Sequence, residues 1–237
     1  MQNISVVIPT LQKNKLVLNK LLELLLRDTV VGEVILINNA QKPFTLHSSI
    51  QKNKKLKILN QQKNIYVNKS WNLGINNCKN DIFLIINDDI LPCENFCSKI
   101  INSGILDKED TGLVGIHSPD IVLYETDTKD IDIPVCNPNR NLSFVKIPKY
   151  FGLNDWGSAF FGKKENYYKI PPEIKIIFGD NYLLYKNMEN GKTNYQLCGL
   201  PFNHIHSLSS SSKEFERDIL SDLTNYKKYF PKEDIID

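Results

Sequence analysis

Arginine is nearly missing from this chain. Of 29 Lys and Arg residues, Arg occupies only positions 27, 140 and 217. Guanidinium forks grip phosphate bidentately, so a phosphate-bearing ligand would need its charge offset by another group, and a metal ion is the natural one. No excess of either sign exists: 29 basic residues stand against 27 acidic ones, a formal net charge of +2. That balance gives no reason to expect nucleic acid as a partner. No apolar run approaches the ~20 residues that span a bilayer, so no transmembrane segment is expected, while a peripheral membrane contact and the oligomeric state stay open. The run Ile4 to Ile8 stops at Pro9 and lacks the basic start and long apolar core of a signal peptide. Cysteine is sparse and odd in number, at 78, 93, 97, 136 and 198, with no CxxC spacing. Cys93 and Cys97 would share a helix face, but no second pair completes a zinc set. Reduced, mostly buried thiols in a cytoplasmic protein are the expectation.

What is present is an alternation. The runs "ISVVIP", "EVILIN", "KLKILN" and "DIFLIIN" are apolar throughout, as strands covered on both faces are. Between them "KLVLNKLLELLLRD" and "VNKSWNLGINNCK" have helical spacing. The fold class expected is α/β: a mostly parallel, Rossmann-like sheet with helices on both faces and a mixed second half. Beyond residue 90 the pattern loosens. "CENFCSKIINSGIL" and "GDNYLLYKNMENG" read as helices, and "GLVGIHS", "DIVLYET", "WGSAFFG", "TNYQLCG" and "FNHIHS" as strands. The polar stretch 125–150 holds two strand-like pieces, "IDIPV" and "LSFVKI", within a mobile connection over the site. The last helix carries an apolar stripe of Phe215, Ile219, Leu220, Leu223 and Tyr226. One domain over 1–237 is expected, its halves at 1–91 and 92–210, followed by the helix of 211–237.

The chemistry starts at "DIFLIINDDILP", where an apolar strand runs straight into Asn87, Asp88 and Asp89. Adjacent carboxylates repel and resist desolvation. Either they form a surface turn closed by Pro92, or they hold a cation at the carboxyl end of a buried strand, where open α/β sheets bind ligands.

Taken in order, "SVVIPT", "EVILINNAQ", "NIYVNKSWNLGI", "FLIINDDILP", "GDNYLLYKN" and "HIHSLS" resemble family-2 glycosyltransferases of the GT-A fold over about residues 3–210. The resemblance implies transfer from a nucleotide-sugar (UDP-, GDP- or dTDP-) to a glycan or other hydroxyl acceptor, with inversion and with Mn²⁺ or Mg²⁺. It makes "NDD" the counterpart of the DxD element: Asp89 on the metal, Asp88 assisting or on the ribose, Asn87 a neutral contact. Pro9, Thr10, Asn38 and Asn39 would line the nucleoside, although Asn38 stands where the family commonly has Asp. Asn64 and Asn72 would lie beside the donor, with Gly74 allowing close approach and Trp71 read as core. Asp180 takes the place of the base, where the family often has an acidic pair, and would equally suit a helix N-cap. Trp156 and Gly157 would face the acceptor, with a buried structural Trp the alternative. His204 or His206 would be a late metal ligand, against an ordinary surface pair.

Two other readings stand beside this one. A degenerate relative would bind a sugar nucleotide or a partner without catalysis, consistent with the amides at 38 and 87. A sugar-phosphate nucleotidyltransferase would need a glycine-rich phosphate loop after the first strand, and "PTLQKNK" lacks it.

Overall fold

The computed structural model describes residues 2–43, 46–150, 156–205 and 215–231. The expected alternation forms β1 (Ile4–Thr10), α1 (Lys15–Arg27), β2 (Val31–Asn38), the short α2 (Ser48–Gln51), β3 (Leu56–Asn60), α3 (Val67–Asn77) and β4 (Ile82–Ile86). Then come β5 (Ile90–Pro92), α4 (Phe96–Asn102), β6 (Thr111–Ile116), β7 (Ile121–Tyr124), β8 (Ser143–Lys146), β9 (Ala159–Lys163), α5 (Gly179–Glu189), β10 (Thr193–Cys198), β11 (Phe202–Ile205) and α6 (Glu216–Asn225).

Eight strands form one sheet in the order β3-β2-β1-β4-β9-β6-β10-β8. The first four are parallel, and β9 enters antiparallel between β4 and β6. Alternate residues of β1 face opposite cores: Val6 and Ile8 pack with α1 and α4, Val7 with α3 and α5. β1 lies between β2 and β4, so chain order reverses there and a crevice opens beyond the carboxyl ends of those strands. A second sheet, β5-β11-β7, continues from β4 and carries His204.

Gly74 serves packing. A Cβ there would stand 2.2 Å from Val7 Cγ1, so α3 sits against β1 only because position 74 has no side chain. Gly74→Ala is expected to cost ~1–3 kcal/mol through overpacking, read as a melting point lowered by roughly 2–4 °C per kcal/mol.

Four expectations are corrected. "IDIPV" forms no strand. Cys93 and Cys136 form a disulfide, 43 residues apart with Cα atoms 5.9 Å apart, where reduced thiols were expected. Fold, not local spacing, brings them together. That bond also anchors the stretch expected to be a mobile lid. Asn14 donates to the Thr128 and Lys129 carbonyls, Lys20 to the Ile131 carbonyl, and Asn203 to the Asp132 carbonyl, while Arg140 pairs with buried Asp120. Cleavage by trypsin at Lys129 should therefore be slow without ligands and unchanged by Mn²⁺ plus UDP; strong ligand protection would restore the lid. Finally, α6 is rotated from its expected stripe. Phe215 and Tyr226 are buried, but Leu220 and Leu223 are 58% and 42% exposed and Asp222 points inward, fully buried.

Candidate active site

The crevice is assembled by short contacts between strand ends. At the end of β1 the Thr10 hydroxyl donates to Asp88. Just past β4, Asn87 N–H donates to the Ser158 carbonyl at 2.9 Å, bringing the 156–158 turn alongside. In that turn Gly157 abuts Asp180: a Cβ at 157 would lie 2.4 Å from Asp180 Oδ2. On the other side Asp89 faces β11. Its carbonyl accepts from Ile205 N–H at 3.0 Å, and its Oδ1 is 3.4 Å from His204 Nε2. Thr10, Asp88, Asp89, Gly157, Asp180 and His204, drawn from five regions of the chain, thus line one place.

Asp88, Asp89 and His204 are 8%, 6% and 5% exposed, which a surface turn would not require. Burial, then the charge of Asp89, pushes the Asp88 carboxyl up to about 7, against the Thr10 hydrogen bond. Asp89 Oδ1 is buried and accepts no hydrogen bond. An oxygen of this kind opposite an imidazole suits a hard divalent cation. Among the described residues no group of three His, Cys, Asp or Glu is arranged as a complete metal site. His206 lies outside the described residues.

Asp180 is not a cap. Phe178, at φ 63°, holds the N-cap position, and Asp180 lies in the first turn of α5. Desolvation raises its pKa, while the backbone N–H groups of Asn181 and Asp180 itself oppose the rise.

At the ends of β1 and β2 lies an amide network. Asn38 donates to Asn60 Oδ1 (2.9 Å) and the Lys42 carbonyl (3.2 Å), and accepts from Gln12 Nε2 (3.0 Å) and Ala40 N–H (3.1 Å). Asn39 donates to Ser70 Oγ at 2.9 Å, and its backbone N–H donates to the Thr10 carbonyl. Asn64 accepts from Tyr66 N–H at 2.8 Å, and Pro9 is buried in β1. Gln12, at φ 54° and 3% exposed, was not singled out from the sequence; only its place after a strand-ending Pro-Thr could have flagged it.

Two expected site residues lie elsewhere. Asn72 donates to the Ile170 carbonyl and accepts from Tyr167 Oη and Ile170 N–H. Its carbonyl takes two bonds and its NH₂ gives one, all fastening α3 to 167–170. Trp156 is 0% exposed, stacks on Phe160 at 5.3 Å, donates to the Tyr195 carbonyl and covers Gly115. It is a core residue and presents no face to an acceptor. Trp71 is core as expected, edge-on to Phe160.

The sequence model of Glycosyl transferase family 2 matches residues 5–154. No curated protein matches in sequence. Among solved structures, TarS 1–349 of S. aureus superposes with a TM-score of 0.59 at 13% identity, covering 96% of this chain and 72% of its own. GalNAc-T7 with UDP, GalNAc and Mn²⁺ gives 0.67 at 14%, covering 97% of this chain and 47% of its own. TarS 1–349 with UDP gives 0.60 at 14%, covering 97% and 67%. With the parallel strands, the switch point and the Asn87–Asp89 terminus all inside the matched span, this chain belongs to glycosyl transferase family 2 and has the GT-A fold.

Proposed function

We propose that this protein moves a sugar from a nucleoside-diphosphate sugar to a hydroxyl of a glycan or similar acceptor, with inversion and with the help of a divalent cation. The supporting observation is the convergence of Asp89 and His204 on one side of the crevice and Asp180 on the other. Pro9, Thr10, Asn38, Asn39 and Asn64 line the nucleoside side, and Asp88 reaches the ribose. Asp89 and His204 would hold Mn²⁺ or Mg²⁺. When bound, the cation offsets the negative charge that develops on the departing diphosphate. Asp180 takes the proton of the acceptor hydroxyl as its oxygen bonds to the anomeric carbon and the bond from that carbon to the diphosphate breaks. Gly157 leaves room for this carboxylate beside the acceptor.

UDP accompanies two of the structural neighbours, so UDP-sugars head the donors to test. Nucleotide release from a panel of UDP-, GDP- and dTDP-sugars, with Mn²⁺ and after chelation, should identify one donor whose turnover requires the cation. The amides at 38 and 87 and Gly179 in place of an acid support a second reading, a domain that binds without catalysis; donor binding with no release from any sugar would select it.

Without cation, Asp88 and Asp89 repel a diphosphate, and few arginines offset them. Mn²⁺ and UDP are expected to bind with positive coupling, each raising the other's affinity by the same factor, measurable by calorimetry. The raised pKa of Asp180 sets a further expectation. A base acts ionised, so kcat should fall with decreasing pH through a midpoint above the ordinary carboxylate range. Asp180→Asn should erase that limb.

A further inference from the structure

We infer that Asp222, on the last helix, is a positioning residue for Asp180; this rests on Asp180 being the base proposed above. Asp222 is fully buried. Its oxygens accept three consecutive backbone N–H groups: Lys175 at 2.9 Å on Oδ1, and Ile176 at 2.7 Å and Ile177 at 3.0 Å on Oδ2. A charged acceptor strengthens each of these bonds relative to a neutral one. The three residues lead directly into Phe178 at φ 63° and ψ 4°, after which Gly179 opens α5.

Neighbouring groups fix the same loop. Tyr226, just past α6, stacks on Phe178 with ring centroids 4.3 Å apart and planes at 21°. Lys175 pairs with Asp218 at 2.6 Å. From α3, Asn68 Nδ2 donates to the Ile174 and Ile177 carbonyls at 3.1 and 3.4 Å, and Asn68 N–H to the Lys175 carbonyl at 3.1 Å. Gly179 fits because a Cβ there would stand 2.1 Å from Asn68 Oδ1. The loop is thus clamped between α3 and α6, while the α5 N-cap has no side-chain hydrogen bond of its own. The clamp sets where Asp180 meets Gly157. None of these bonds goes to Thr10, Asn38 or Asp89. Lys175 also lies over the Tyr66 ring at 5.2 Å, and Tyr66 N–H holds Asn64, so loosening the clamp is expected to move the base more than the donor side.

Asp222→Asn can keep an oxygen toward Ile176 and Ile177 but then turns an NH₂ toward the Lys175 N–H. Misplacing a reacting group by about 1 Å costs up to ~10²-fold. The experiment measures kcat and KM for Asp222→Asn, Asp180→Asn and the double variant, in the full chain with Mn²⁺ and the panel sugar nucleotide that is turned over. Expected are a kcat lower by roughly 10-fold or more in Asp222→Asn, an unchanged donor KM, and no further loss when the change is added to Asp180→Asn. Wild-type kcat in folded Asp222→Asn, or a loss that multiplies in the double variant, overturns the positioning role alone. Unchanged turnover in Asp180→Asn, or turnover of no donor, removes the base and the positioning role with it. Should Asp222→Asn fail to fold, Tyr226→Leu, which takes the ring off Phe178 and keeps the carboxylate, is read by the same criteria.

Discussion

Asp89→Asn is expected to lower sugar transfer by more than ~10²-fold while the protein stays folded. A Lewis acid at a departing diphosphate is worth several kcal/mol, and about 1.4 kcal/mol is a factor of ten in rate. The substitution keeps shape and removes charge. Asp89 Oδ1 accepts no hydrogen bond, so the amide forfeits none there. The bond from Ile205 N–H goes to the main-chain carbonyl and survives. Loss of the charge also relieves Asp88, whose carboxyl is raised by burial and then by Asp89. The weakened contact with His204 at 3.4 Å works the other way, so the melting temperature at neutral pH should stay close to that of the wild type, with Mn²⁺-dependent donor binding lost in calorimetry. Full transfer by this variant would remove Asp89 from the metal.

Asp180→Asn is expected to behave differently. Donor and cation should bind as in the wild type, because Asp180 abuts Gly157, whereas Asp89 faces His204 and Asn38 bonds to Gln12 and Asn60. Turnover should drop by ~10²–10⁴-fold, the usual cost of losing a positioned general base. The N-cap alternative would have given a stability loss of ~1 kcal/mol and unchanged turnover. Phe178 holds that position, so little change in melting is expected. Equal turnover in wild type and Asp180→Asn would leave the reaction without its base.

The first half of the fold was legible because its signals are local. Continuous apolar runs gave β1, β2, β3 and β4, and the strand ends carrying Thr10, Asn38 and Asp88 followed from where those runs stop. The second half depends on pairing between distant segments. Nothing near Ala159–Lys163 says that this strand lies antiparallel between β4 and β6. The same limit hid the Cys93–Cys136 bond. At α6, spacing alone favoured the face with Leu220 and Leu223, but three N–H groups some 45 residues upstream turned Asp222 inward instead. Asn72 and Trp156 matched positions in a family pattern, yet their polar atoms found partners inside the fold. Asp89 and Asp180 could be picked out because a carboxylate at a strand end or at a helix start must be explained by solvent, a partner or chemistry.

A crystal structure of the protein with Mn²⁺ and UDP tests the central claim most directly. An anomalous peak for manganese at Asp89 and His204, with the diphosphate against it and the uracil beside Asn38 and Gln12, is the result expected. Manganese away from Asp89, or a nucleotide settled outside the crevice between β1 and β4, would contradict it.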